Sequence, residues 1–325
     1  MEPPHLQTGA HRREPDGAPR RLARDVDAAA AALRAGELVL LPTETVYGLA
    51  ADARNPVAVA RIFEAKGRPR FNPLISHVSD AAAAEAIARF DAAARALAET
   101  FWPGPLTLVL PARDGAVCDL ARAGLDTVAV RVPGHALARE LLSAFGGPVV
   151  APSANRSGRP SPTTFQDAVA ETGSAASAGL DGGPCAVGVE STVASVLDGR
   201  VALLRPGAVT REDLTAVVGR LVEAGEGHRS PGRLTLHYAP DAPVRINAAE
   251  ARDGEILLGF GPGTGDPRWS LSPTGDLAEA AARLFRLLRD ADRETPTGIA
   301  VAPVPATGLG EAINDRLSRA AGRVG

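Results

Sequence analysis

Residues 41–78 read LPTETVYGLAADARNPVAVARIFEAKGRPRFNPLISHV, and the way this stretch divides decides the fold. It completes a short apolar strand over 38–41 that stops at Pro42, which has no N–H to give to a sheet. A polar turn follows, Thr43-Glu44-Thr45, and then apolar residues at helical spacing over 57–63. A cationic loop, Lys66-Gly67-Arg68-Pro69-Arg70, closes the helix, and a second strand over 74–78 carries His77. The expected unit is strand–helix–strand. Hydroxyls, an acid, cations, the Asn72 amide and a histidine gather around it.

Outward from this unit, strands and helices alternate. Helices are expected over 22–34, ended by Gly36, and over 80–90 and 91–101, each opening on an aspartate that the helix dipole favours. Trp102-Pro103-Gly104-Pro105 is a stiff turn into a strand over 106–110. The alternating TVAVRV over 127–132 is a strand with Arg131 near its end. A helix over 136–145, a strand over 149–151, a polar segment over 152–164 and a helix over 166–171 follow. Further strands are expected over 189–193 and 201–204, and Thr210 with Asp213 forms a capping box for a helix reaching 222. Composition shifts at 223–230, so the chain divides into a tail (1–20), a first domain (21–222), a linker (223–242) and a second domain (243–325). The second domain repeats the alternation, with strands over 255–260 and 298–303 and helices over 277–290 and 310–320, which makes it a small α/β unit.

The chain has 325 residues, enough for two domains, and 45% of them are apolar, as in an ordinary globular protein. A net charge of −3 exerts no overall pull toward nucleic acid or anionic membrane. Cys118 and Cys185 lie far apart without zinc-type spacing, which fits a reducing cytoplasm. No apolar run reaches the roughly 20 residues of a membrane helix. The first twenty residues, rich in proline and arginine, read as a disordered tail.

Two loops carry the chemistry. Lys66, Arg68 and Arg70 cannot share one helix face, because Gly67 and Pro69 interrupt them, and a stiff cationic loop suits an anionic ligand. Taken alone, the loop reads first as a solvated basic turn. The segment 152–164 offers Ser153, Asn155, Ser157 and Ser161 just past a buried strand, where α/β sheets bind ligands, and it reads equally as an ordinary turn-rich loop. Arg131 and Arg205 each end an apolar strand and need an anion nearby. Asp126 and Glu190 either orient a partner or cap a turn. Neither a GxGxxG nor a Walker loop is present, and Ser191 has no spaced His/Asp pair to make it a hydrolase nucleophile.

In order, the chain carries PTETVYGL, FEAKGRP and NPL, FWPGPLT, GLDTVAVR, APSAN with PSPT, DGG with GVESTV, and LRPG. Together these resemble the YrdC-like threonylcarbamoyl-AMP synthases over about 38–207. SPG and HYAP in the linker, and GLGEAINDRLSRAAG at 308–322, resemble the two-domain version of that family. The resemblance implies an N-terminal YrdC-like twisted mixed sheet with flanking helices and a small C-terminal Rossmann-like α/β domain. It also implies an enzyme that joins L-threonine, bicarbonate and ATP into threonylcarbamoyl-adenylate and pyrophosphate. The product would pass to the machinery that transfers the group to tRNA.

By motif, Thr43, His77, Arg131, Ala151 and Ser191 would surround threonine. Arg68, Asn72, Thr127, Ser153, Ser161 and Arg205 would hold the nucleotide, with His237 and Tyr238 closing over it. Lys66, Arg68, Ser153 and Asn155 would form a catalytic tetrad, and Mg²⁺ would arrive with ATP without fixed protein ligands. The chain departs from the family pattern at Arg70-Phe71 and at Arg233-Leu234-Thr235-Leu236. Two other readings remain open: a carbamoyl-adenylate-forming enzyme of the hydrogenase-maturation type, and a module binding double-stranded RNA or tRNA. The lack of a Cys-rich zinc finger weighs against the first, and the net charge against the second.

Overall fold

A computed structural model describes residues 22, 24–69, 72–223 and 238–322. The N-terminal tail, Arg70-Phe71, Arg233–Leu236 and His237 lie outside the described residues. The described residues build two sheets. The larger draws on β1 (Leu38–Leu41), β2 (Gly48–Asp52), β3 (Ile75–His77), β4 (Leu106–Pro111), β5 (Thr127–Arg131), β6 (Val149–Val150), β7 (Ala176–Gly179), β8 (Thr192–Leu197) and β9 (Arg200–Arg205). Its spatial order is β7-β1-β2-β6-β3-β5-β4-β8-β9, with parallel and antiparallel neighbours mixed. The helices of this part are α1 (Val26–Arg34), α2 (Pro56–Lys66), α3 (Ala81–Ile87), α4 (Ala92–Phe101), α5 (Asp119–Arg122), α6 (Ala136–Phe145), α7 (Phe165–Thr172) and α8 (Arg211–Val218). The smaller sheet, β10 (Val244–Arg245), β11 (Glu255–Phe260), β12 (Ser270–Ser272) and β13 (Gly298–Val301), is wholly parallel in the order β10-β13-β11-β12. Helices α9 (Leu277–Arg293) and α10 (Leu309–Ala320) belong with it.

The strand–helix–strand expectation is corrected in one respect: β2 intervenes, pairing antiparallel with β1 before the helix begins. Its sequence, GLAAD, lacks the β-branched residues that advertise a strand. It is a strand because Gly48 lets it lie against Ala151; a Cβ at Gly48 would come 3.0 Å from that of Ala151. β7, ASAG, escapes a sequence reading for the same reason. The strand expected over 189–193 begins only at Thr192, which leaves Glu190 and Ser191 on the loop before it.

Burial explains where the site sits. Every residue of β1 is buried: Leu38 and Leu40 join the core beneath α2, and Val39 and Leu41 the core shared with α1 and α6. A strand covered on both faces reads as an unbroken apolar run. Around β3, β5, β4 and β8 one face joins the main core. The other holds only a small cluster of Ile75, Val109, Ala129 and Val193, with Leu204 beside it. Ile75, on that thinly covered face, lines a cavity at the ends of these strands.

Candidate active site

Each wall of the cavity is placed by a local device. Asn55 caps α2 by accepting from the backbone N–H of Val57 and Ala58, Pro56 occupies its first turn, and Gly67 ends it in the left-handed region at φ 59°. Lys66 is therefore the last helical residue, and Arg68 the first free to turn inward. Across the parallel ladder His77 pairs with Arg131, and on its other side His77 pairs with Val149 of β6. Thr43, His77, Arg131 and Ala151, which follow or end β1, β3, β5 and β6, line one cavity with an enclosed volume of about 50 Å³. Arg68, Ser153, Glu190, Ser191, Arg205 and Tyr238 line it too.

Arg131 is held from three directions. Its Nε donates to the Gly104 carbonyl at 3.1 Å, Nη1 to the Thr45 hydroxyl at 2.9 Å and Nη2 to Glu44 Oε1 at 2.6 Å. A guanidinium has five N–H groups, so two remain for a ligand. Burial pushes the Glu44 carboxyl up, but Arg131 and the Gly134 N–H outweigh it, and the acid stays below its ordinary range. Thr43 organises the turn, accepting from the Thr45 and Val46 N–H groups and donating to the Val46 carbonyl at 2.6 Å. Burial, with Arg131 adjacent, pushes His77 down to about 3, so its imidazole is neutral. Its buried Nδ1 has no partner within the described residues, which makes it a hydrogen-bonding atom available to a ligand.

A second charged group forms around Arg205. Its Nε and Nη2 both donate to the Ser191 carbonyl, at 3.1 and 2.9 Å, and Nη2 also reaches the Ser191 hydroxyl at 3.2 Å. Gly207 allows this turn, since a Cβ there would lie 2.3 Å from the Thr192 nitrogen. Arg68 makes only a 3.5 Å contact to the Pro73 carbonyl, and its Nε is buried without a partner in the described residues. Burial pushes it down to about 10, where it is still a cation at neutral pH. A buried guanidinium with unfilled donors is a binding position for an anion.

Lys66 lies elsewhere. Its ammonium donates to the Ser153 carbonyl at 2.5 Å and to the Asn155 carbonyl, and it is not part of the cavity wall. Burial, with Arg68 nearby, takes it well below the usual lysine range. It pins the 153–155 loop, while Ser153 Oγ donates to Asn155 Oδ1 at 2.5 Å and the Asn155 amide reaches the Arg156 and Arg159 carbonyls. Asn155 and Asn72 are buried behind the wall. Ser161 also lies behind it and donates to Glu190. Thr127 begins β5 and shares the cavity-side face with Ala129 and Arg131, four residues from the cavity.

Glu44, Thr45 and Arg316 carry more of the geometry than a sequence reading assigned them, and Glu190, left open as an orienting residue, does too. Glu44 and Thr45 stood in the first motif, between two named residues. Arg316 stood inside the tail motif with no role attached.

Comparison with known proteins places this architecture. Residues 31–207 match the Sua5_yciO_yrdC family model, described as "Telomere recombination". Residues 209–322 match the model described as "Threonylcarbamoyl-AMP synthase, C-terminal domain". The threonylcarbamoyl-AMP synthase of Bacillus subtilis is 41% identical over 90% of this chain and 92% of its own length. That of Pyrococcus abyssi is 40% identical over 90% of this chain and 93% of its own. The crystal structure of P. abyssi Sua5 complexed with L-threonine superposes with a TM-score of 0.82 at 37% identity, covering 92% of this chain and 96% of that one.

Proposed function

The chain belongs to the threonylcarbamoyl-AMP synthase family, and from that premise we propose how its own residues divide the reaction. It is an enzyme that forms threonylcarbamoyl-adenylate for the threonylcarbamoyladenosine modification of tRNA. L-threonine, bicarbonate and ATP enter, and the adenylate, pyrophosphate and water leave. The observation that carries this reading is a cavity holding two separate charged groups: Arg131 with neutral His77, and Arg68 with Arg205.

The threonine carboxylate fits the two unused N–H groups of Arg131, and the amino group fits the open Nδ1 of His77. So held, the amine, as the free base, attacks the carbon of bicarbonate; a C–N bond forms, water leaves, and a carbamate results. A carbamate oxygen then attacks the α-phosphorus, the bond to the β-phosphate oxygen breaks, and pyrophosphate departs with the electron pair. Arg68 and Arg205 stabilise the charge that builds on the triphosphate. The step needs no side-chain nucleophile, and buried walls keep water from the unstable carbamate.

Mg²⁺ fits as part of the substrate, carried on the triphosphate's own oxygens. The product is then handed to the tRNA threonylcarbamoyl-transfer machinery in the cytoplasm. None of the described helices is long and apolar enough to cross a membrane.

Mass detection of threonylcarbamoyl-AMP from the purified full chain tests the reading. The product should require threonine, bicarbonate and ATP together. Turnover that instead requires carbamoyl phosphate and ignores threonine would replace it with the hydrogenase-maturation chemistry.

A further inference from the structure

The largest fully buried side chain among the described residues is a cation, Arg316, and it comes from α10 of the C-terminal domain rather than from the cavity's own domain. Its Nε donates to Glu190 Oε2 at 2.9 Å. Its Nη1 donates to the Pro206 carbonyl at 2.9 Å, next to Arg205, and to Asp315 at 2.8 Å. The guanidinium carbon also stands 5.6 Å from the centre of the Tyr238 ring. Glu190 and Tyr238 both line the cavity, and Glu190 holds Ser161 as well. One side chain of α10 thus touches two residues of the cavity wall and the carbonyl next to a third, Arg205.

The loop bearing Glu190 is seated on the C-terminal domain more widely than through this ion pair. Gly188, at φ 75°, packs so tightly on α9 that a Cβ would lie 2.4 Å from the Ala282 Cα. Val189 is buried in the same core as Leu284, Phe285 and Ile313. On the neighbouring loop Arg289 of α9 donates to the carbonyl of Pro160, one residue before Ser161, and it also donates to Glu171 of α7 at 2.8 Å.

A carboxylate in the wall of a cavity meant for a triphosphate needs an explanation. Left unpaired, Glu190 would repel the nucleotide or take up a proton; it does neither, because burial pushes its carboxyl up and Arg316, with Arg205 and Ser161, more than offsets that. We propose that Arg316 is a positioning residue for the nucleotide: through Glu190, Tyr238 and the Pro206 carbonyl it neutralises and fixes the wall that faces ATP, so the C-terminal domain sets ATP affinity while leaving threonine affinity alone. The inference rests on the family's reaction. It goes further in assigning control of one substrate to a residue outside the catalytic domain.

Steady-state kinetics on the full chain decide it, with both substrates varied. Arg316→Met leaves Glu190 buried without its partner and should raise KM for ATP roughly tenfold or more, the scale of one stranded buried charge. KM for threonine should change less than about twofold, because Arg131 and His77 are held by other partners. Arg316→Lys keeps the charge and should recover part of the loss. Arg316→Met/Glu190→Gln removes both charges while the amide can still accept from Ser161, and should return KM for ATP to within about threefold of the parent. Equal rises in both KM values, or a fall in kcat that Glu190→Gln does not rescue, would overturn the proposal in favour of a merely structural Arg316. If Arg316→Met is recovered only unfolded, the double variant carries the test: a KM for ATP near the parent supports the proposal, and a raised one overturns it. A parent chain that makes no threonylcarbamoyl-AMP would count against the family reading and not against this one.

Discussion

The two charged groups that share the cavity are built by different means. The first, Arg131 with His77, is set by the sheet. His77 and Arg131 are register partners on neighbouring parallel strands, and Glu44 and Thr45 sit on the turn that leaves β1. In the second, only Arg205 is a strand residue, the last of β9 and the register partner of Val193; Arg68, Glu190 and Tyr238 stand on loops and on the segment entering the C-terminal domain. Its rigidity comes from buried arginines on α9 and α10. Backbone ladders hold a side chain wherever the strands pair. A side-chain network holds only while every member is present and charged. The first group should therefore survive disturbance of the C-terminal domain, and the second should not.

The strongest way to break this comparison is at Arg131. Arg131→Met removes three hydrogen bonds and leaves the half-buried Glu44 carboxylate opposite a thioether. The two N–H groups offered to the threonine carboxylate are lost with the guanidinium, on the order of 3 kcal/mol together, so kcat/KM for threonine should fall at least about a hundredfold. KM for ATP should stay close to that of the parent. Initial rates at saturating ATP and varied threonine read this directly. A loss that appears in KM for ATP instead would mean the two groups form one network, and the distinction between them would be lost.

Lys66 sharpens the comparison because sequence and structure give it different work. Within the cationic loop it reads as a phosphate cation, whereas the structure turns its ammonium back onto the Ser153 and Asn155 carbonyls. Lys66→Met would strand two buried carbonyls and should lower unfolding stability by about 2–3 kcal/mol in urea titration, with a unchanged m-value. Full stability with abolished turnover would instead return Lys66 to the phosphates.

Much of this was legible in the chain, and the exceptions share a cause. The capping box at Thr210 and Asp213 stands where its spacing put it, and Asp80 and Asp91 cap α3 and α4 as their positions implied. Caps are local, so a few residues suffice to reveal them. The residues named from motifs at strand ends largely converge on one cavity, since strand ends in an α/β sheet converge by construction. β2 and β7 were hidden because glycine and alanine carry no strand signature and fit there only by close packing against other elements. Glu190 and Arg316 are 126 residues apart. No periodicity or spacing encodes that meeting; it exists only once two domains have docked.

The smallest expected effect separates the groups by pH. His77 is buried between strands and pushed down to about 3, from the ordinary histidine value of about 6.5. Its neutral form is therefore favoured by folding, and below the unfolded value the unfolded chain binds the extra proton. Stability linked to His77 is fully present above about pH 6.5, falls as the pH drops, and levels off near pH 3, with about 2 kcal/mol lost between pH 7 and pH 5. His77→Gln removes the titrating group and should flatten that part of the stability–pH curve, leaving the slope due to carboxylates. Because the imidazole stays neutral throughout the working range, KM for threonine in the parent should show no inflection between pH 6 and 8 from this residue; kinetics over that range and thermal melts from pH 7 to pH 5 would test the two statements. An inflection near pH 6.5 that vanished in His77→Gln would mean the imidazole is exposed enough to titrate normally. In that case the sheet would not be holding the first group in the sealed position on which its independence from the C-terminal domain depends.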